Sequence, residues 1–233
     1  MKDASQRQLP LNIALRDEAT LDNFFATSAV GPLLDSVRRQ LGEGGEPFLY
    51  CYGSHDTGKT HLLQSACHLA GENSLYLPLL ELRSFPAAEV LQGMENLSLV
   101  CVDDVDSIAG DSSWEPELFH FFNRARDNDC RLFFSGNAAP RELSVALSDL
   151  QSRLTWGEIY QLGSVDDDTK QEILRYRAKR LGLEMPAEVA SYIVSRAPRA
   201  LSSLLGLLRD LDAASLAHKR ALTVPFVREQ LGW

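Results

Sequence analysis

The stretch Gly53-Ser54-His55-Asp56-Thr57-Gly58-Lys59-Thr60 has the residue types and spacing of a loop that grips phosphate. Two glycines frame it, and a lysine and a hydroxyl residue close it, the G-x-x-x-x-G-K-[ST] pattern. Small residues let backbone N–H groups turn inward on an anion, and the N-terminus of a following helix adds the positive end of its dipole. In that role Lys59 reaches the β- and γ-phosphates of a nucleotide and the Thr60 hydroxyl binds Mg²⁺. A Gly-rich turn that merely opens a helix carries similar letters. Here the apolar run FLYCY before the loop and an amphipathic stretch after it supply the strand–loop–helix context that phosphate binding requires. Asp56 sets a carboxylate inside a loop meant for an anion, which predicts an outward-facing side chain and weakened nucleotide affinity.

A second group of candidates stands at the ends of other apolar runs. Leu99-Val100-Cys101-Val102 ends in Asp103 and Asp104; Asp103 is expected in the Mg²⁺ shell, and Asp104 is expected to orient or deprotonate an attacking water. Acids also begin ordinary solvated loops after strands, and it is the upstream phosphate loop that favours the catalytic reading. Asp106 reads as a loop or capping residue. Leu132-Phe133-Phe134-Ser135-Gly136-Asn137 ends in polar groups, and Asn137 is either a contact for the γ-phosphate or a turn residue after glycine. Arg153 and Arg199 stand before the last apolar run and at the start of a late helical stretch; spacing alone gives neither a role.

These residues need a scaffold, and the apolar runs describe one. FLYCY (48–52), SLYLPL (74–79), LSLVCV (97–102), RLFFS (131–135) and EIYQL (158–162) are continuous rather than alternating, as strands buried on both faces of a parallel sheet must be. Helical spacing over Lys59 to Ala70 and Trp114 to Asp127 completes a β-α-β-α succession, so the core is α/β. From Asp166 onward the pattern is helical only, over Thr169 to Leu181, Ala187 to Ala197 and Leu201 to His218, with Pro186 and Pro198 near helix starts. The expected organisation is an extended tail over 1–15, an α/β core over 16–163 and a small all-helical domain over 164–233. Gly42 to Gly45 reads as a flexible connection ahead of the first strand.

Composition narrows the function classes. The 233 residues are 45% apolar, enough for a sizeable core. A net charge of −9 gives no global attraction for duplex DNA, so any nucleic-acid contact has to be local. The four cysteines, Cys51, Cys67, Cys101 and Cys130, are widely spaced within apolar runs and read as reduced core residues. The N-terminus has no uninterrupted apolar segment and no long apolar stretch follows, so a cytoplasmic protein with no membrane contact is expected.

Together GSHDTGKTHLL, LVCVDDVD, LQSRL and PRALSSLL resemble the AAA+ module of the DnaA initiators, and the resemblance covers nearly the whole chain. It implies an AAA+ P-loop NTPase fold, a five-stranded parallel sheet with a helical lid, binding an adenine nucleotide, ADP or ATP, with Mg²⁺. By the same resemblance Asn137 matches sensor 1, Arg153 the arginine finger that acts in trans on a neighbouring subunit, and Arg199 the sensor 2 arginine of the lid. Thr20-Leu21-Asp22-Asn23-Phe24 resembles the family's T-F-x-x-F segment near the nucleotide base, although core packing accounts for Phe24 equally well. Asp104 stands where many AAA+ proteins have glutamate. One methylene fewer draws the carboxylate back by about 1.5 Å, so slow or partner-dependent hydrolysis is expected.

The family pattern has glycine at Asp56 and continues beyond the lid into a basic helix and a helix-turn-helix domain, whereas this sequence stops at Trp233. The likeness is therefore greatest to the short DnaA-related regulators that inactivate DnaA after replication starts. These are implied to dock on the DNA polymerase III β sliding clamp through a motif near the N-terminus. The matching stretch is Gln6-Arg7-Gln8-Leu9-Pro10-Leu11, with Gln6, Leu9 and Leu11 as contacts and Pro10 limiting the entropy lost on docking; a plain tail or a core-covering strand is the alternative. The expected partners are DnaA, the clamp, DNA only through the clamp, and further copies of the chain through AAA+ interfaces. The expected activity is stimulation of the hydrolysis of DnaA-bound ATP. The second reading is an ATP-hydrolysing helicase loader or remodeller on single-stranded DNA, which predicts intrinsic turnover and salt-sensitive binding to single strands.

Overall fold

The computed structural model describes residues 15–27 and 30–233; Gln6, Leu9 and Leu11 lie outside the described residues. Five parallel strands form one sheet: β1 Phe48–Tyr52, β2 Ser74–Pro78, β3 Leu99–Asp103, β4 Arg131–Gly136 and β5 Glu158–Gln161, in the order β2-β3-β4-β1-β5. The register pairs Tyr52 with Gly136 and Val102 with Phe134, so the C-terminal ends of β1, β3 and β4 lie side by side. The phosphate loop, the two acids and the polar strand end therefore open onto one edge of the sheet, where ligands of open α/β sheets bind.

The helices are α1 Gly31–Arg39, α2 Lys59–Ala70, α3 Leu79–Leu82, α4 Ala87–Val90, α5 Trp114–Asp127, α6 Ser148–Leu154, α7 Asp167–Arg180, α8 Ala187–Arg196, α9 Leu201–His218 and α10 Val224–Leu231. Alternate side chains of each central strand enter opposite layers. Tyr50, Val100, Val102 and Phe134 pack with Trp114, Phe121 and Phe122 of α5, whereas Leu49, Cys51, Cys101 and Phe133 pack with Leu33 and Val37 of α1 and Leu62 of α2. Burial on both faces is why these strands read as unbroken apolar runs. The two edge strands depart from that expectation: β2 is fully buried only over its last three residues, and the residues of β5 alternate between half-buried and exposed. All four cysteines are buried and free.

The C-terminal helices close around their own apolar cluster, with Leu174 from α7, Ile193 from α8, Leu204, Leu208 and Leu211 from α9, and Phe226 from α10. Helix α7 begins at Asp167, two residues earlier than periodicity alone suggests, because the Asp166 carboxylate caps it by accepting from Thr169 N at 2.8 Å. Helix α10 was not expected from the sequence. It is only eight residues long, and it starts with Thr223 as its capping residue and a proline in the first turn.

Candidate nucleotide site

Between β1 and α2 the loop is shaped by glycine where nothing larger fits. A Cβ on Gly53 would stand 2.6 Å from the Leu162 carbonyl oxygen. Gly58 has φ +94°, and a Cβ there would meet Phe24 Cε2 at 2.9 Å. Asp56 is also left-handed, φ 62°, which explains the glycine of the family pattern; aspartate tolerates this region better than most residues. Its side chain is exposed at the cleft rim. Asp56→Gly should tighten nucleotide binding about threefold to tenfold, by removing the ~1 kcal/mol repulsion expected of a solvated like charge a few ångströms from the phosphates. Titration calorimetry on both proteins checks this, and an unchanged affinity would mean that solvent screens the carboxylate fully. Stability should change little, because relief of the left-handed strain is offset by the greater unfolded-state entropy of glycine.

Lys59 opens α2 and is only 6% exposed. Its Nζ donates to Gly53 O at 2.7 Å, to Ser54 O at 2.9 Å and to Asn137 Oδ1 at 3.4 Å. The next residue, Thr60, donates its hydroxyl to Asp103 Oδ2 at 2.7 Å. Asp103 is fully buried, and Tyr76 OH also donates to its Oδ2 at 2.7 Å while the Ser135 hydroxyl donates to Oδ1. Burial first, and the Asp103 charge second, push the Tyr76 phenol well above its ordinary range, so it remains a donor. A threonine hydroxyl and a carboxylate in contact are hard oxygen donors that suit Mg²⁺, which keeps most of its shell for phosphate and water. Thr60 and Asp103 are the residues that would hold it, and the ion would supply positive charge to the phosphates there.

Asp104 follows in a left-handed conformation, φ 55° and ψ 49°, with its backbone N donating to Asp103 Oδ1 and to Ser135 Oγ, each at 3.2 Å. Its carboxyl pKa is pushed up to about 6, first by burial and then by the neighbouring Asp103 and Asp106 charges, with Lys59 and His55 opposing. A carboxyl group in this range is poised to exchange a proton near neutrality. Asp106, read from the sequence as a loop or cap, is bound to Asn137: Oδ1 accepts from Asn137 N at 2.9 Å and Oδ2 from Asn137 Nδ2 at 2.6 Å.

A cleft of about 680 Å³ runs from the phosphate loop to the lid. His55, Thr57, Lys59 and Thr60 line one part, Phe24 lies against Gly58, and the lid contributes Ile173, Arg177, Ser202 and Leu205. His61, its ring centroid 5.6 Å from that of Phe24, bonds the Thr20 carbonyl through Nε2 at 2.9 Å, and burial draws its pKa down. The segment around Phe24 is tied to the lid as well, since Tyr176 OH donates to Asp22 O at 2.6 Å and Arg177 Nη1 to Asn23 O at 3.0 Å.

Arg199, matched by resemblance to the sensor 2 arginine, belongs to the lid. It is exposed in the loop ahead of α9 and does not line the cleft. The helix begins only at Leu201, and one face of its first turns, Leu201, Ser202 and Leu205, looks onto the cleft. The lid cation that does reach the cleft is Arg177, half-buried, its pKa lowered chiefly by desolvation. Nothing in its helical spacing distinguishes it from Arg175 or Arg180.

Arg153 lies away from this cleft, near the end of α6. Its guanidinium carbon sits 4.1 Å from the Trp156 ring centroid, and Nε donates to Asn123 Oδ1 at 3.1 Å. Buried Glu115 anchors the chain leading into α6 by accepting from Ala146 N at 3.0 Å and Leu147 N at 2.7 Å. Trp156 and Asn123 were not singled out in the sequence, because each acts across 3 or 30 positions of the chain and no local pattern links them to Arg153.

The parallel sheet, the phosphate loop beside an acidic strand end, and a helical lid over the cleft define an AAA+ P-loop NTPase module. Residues 22–161 match the bacterial DnaA ATPase domain, and residues 167–231 match the lid domain of Hda. An uncharacterized protein of Haemophilus influenzae is 40% identical over 229 residues, covering 97% of this chain and 98% of its own. Domain III of the Thermotoga maritima replication initiation protein DnaA superposes with a TM-score of 0.76 at 22% identity, covering 94% of this chain and 98% of that one. AMPPCP-bound DnaA from Aquifex aeolicus gives 0.69 at 25% identity, over 84% of this chain and 65% of that one. The chain belongs to the DnaA-related AAA+ family, with a lid of the Hda type. Family membership points to the control of replication initiation. Among the described residues no helix is long and apolar enough to cross a membrane.

Proposed function

We propose that this protein is a regulator of replication initiation that binds an adenine nucleotide with Mg²⁺ in its own cleft and stimulates hydrolysis of ATP held by DnaA. The observation that carries the reading is the placement of Arg153. It stands outside the protein's own cleft, in the last turn of a helix whose N-terminal approach is anchored by Glu115, with its guanidinium stacked on Trp156. An arginine so placed cannot neutralise phosphate in its own chain but is presented for use in trans, where such a group contributes about 10³ to 10⁵ in rate to phosphoryl transfer. The nucleotide held by Lys59 and Thr60 then serves the pose of the lid. The short side chain of Asp104, one methylene less than glutamate, favours little turnover of that nucleotide. Gln6, Leu9 and Leu11 link the module to the sliding clamp, and DNA is reached through the clamp.

The decisive experiment adds the protein and DNA-loaded clamp to ATP-bound DnaA and measures phosphate release; absence of stimulation with all components present would end the proposal. Deleting residues 1–11 should abolish co-migration with the clamp while leaving melting temperature and nucleotide affinity unchanged. Among the described residues, Leu15 packs against the core and Arg16 N donates to Gln64 Oε1 at 3.1 Å, both outside the deleted segment. Clamp binding at undiminished affinity after the deletion would place the docking residues elsewhere.

A further inference from the structure

Lys59 carries three N–H donors, and in this structure all three have protein acceptors: Gly53 O, Ser54 O and Asn137 Oδ1. The third acceptor owes its orientation to Asp106. A carboxylate accepts and does not donate, so the Asn137 amide must turn Nδ2 toward Asp106 Oδ2, 2.6 Å away, and its oxygen is left facing Lys59. The bond from Asn137 N to Asp106 Oδ1 at 2.9 Å fixes the backbone at the same point, so rotating the amide would sacrifice one member of a paired contact. A sensor asparagine that served a terminal phosphate would instead have to offer its N–H groups.

We propose that Asp106 is a positioning residue that sets nucleotide specificity: by holding Nδ2 of Asn137 it aims an amide oxygen at Lys59 and disfavours nucleotides bearing a third phosphate. The physical reason is competition. The amide oxygen occupies the lysine proton that a terminal phosphate would take, and the amide dipole presents its negative end to an anion. A diphosphate needs fewer of the lysine's donors and leaves the Asn137 contact in place. The inference rests on the reading that the Gly53–Thr60 loop holds a nucleotide, and it adds the residue pair that selects among nucleotides.

Titration calorimetry with ADP and with AMPPCP, each with Mg²⁺, tests it on the full chain as wild type, Asp106→Ala, Asp106→Asn, Asn137→Ala and the Asp106→Ala/Asn137→Ala double variant. Asp106→Ala should shift the ADP-to-AMPPCP affinity ratio toward AMPPCP by about fivefold to tenfold, the scale of one ordinary net hydrogen bond, since the Lys59–Asn137 contact is long. Asp106→Asn, which retains one acceptor but can also donate to the amide oxygen, should give a smaller shift in the same direction. Adding Asp106→Ala to Asn137→Ala should produce no further shift, because the aspartate acts through the amide. An unchanged ratio in Asp106→Ala, with melting temperature and ADP affinity retained, overturns the inference alone. An equal shift with and without Asn137 overturns it too, since the aspartate charge would then act directly. If wild-type protein binds neither nucleotide, the phosphate-loop reading falls, and the inference falls with it.

Discussion

Lys59→Ala should lower nucleotide affinity on the order of a hundredfold or more, the equivalent of one or two hydrogen bonds to a charged group. The lysine is buried beneath its loop, and its ammonium is the only cation of the Gly53–Thr60 segment. Of the arginines that line the cleft among the described residues, Arg177 is bonded to Asn23 O, and neither it nor Arg16 belongs to the phosphate loop. The same substitution removes the donor satisfying Gly53 O and Ser54 O, so the loop should lose order even without ligand. A stability loss of about 1–2 kcal/mol is expected from carbonyls left without a partner, less where water reaches them. Calorimetry for affinity and thermal melting for stability separate the two effects. Unchanged affinity would remove the loop from the nucleotide site, whereas a lost affinity at a nearly unchanged melting temperature would assign Lys59 to the phosphates.

Arg153→Ala should reduce the stimulation of DnaA-bound ATP hydrolysis by about 10³-fold or more, the scale of an arginine supplied in trans to a phosphoryl group. Its own nucleotide affinity should not change, because the side chain is outside the cleft. Folding should survive with a small penalty: the lost guanidinium leaves Asn123 without its donor and removes the stacking on Trp156, a partly exposed contact worth about 0.5–1 kcal/mol. Arg153→Lys tests the geometry, since a lysine retains the charge but not the planar fork that stacks on an indole and spans phosphate oxygens. The measurement pairs phosphate release from ATP-bound DnaA, with loaded clamp, against nucleotide affinity of each variant. Full stimulation by Arg153→Ala would transfer the effect to other residues and end the trans assignment.

The strands, the loop and the acids were legible in the sequence because each depends on neighbours in the chain. Continuous apolar runs mark doubly covered strands, and β1, β3 and β4 behave so; β2 and β5 read the same yet lie at the two edges, β2 partly buried and β5 alternating with exposed residues, since hydropathy along the chain does not reveal which neighbour a strand lacks. Gly53 and Gly58 were legible as loop glycines, but that Gly58 leaves room for Phe24 became visible only once 34 residues of chain were folded back.

What tertiary structure alone decided are the partnerships of distant residues. Asp106 and Asn137 meet because β3 and β4 are adjacent and their ends lie in register, a fact of strand order that local spacing does not contain. That Arg177 rather than Arg199 lines the cleft depends on packing among Leu174, Ile193 and Leu204, not on the arginines themselves. By itself the sequence determined the chemistry of the groups, a lysine, a hydroxyl and paired carboxylates at strand ends. Their distances, their proton affinities and the choice of which arginine stands in which site follow from the sheet order and the lid, because burial and through-space charge act across contacts that only the folded chain makes.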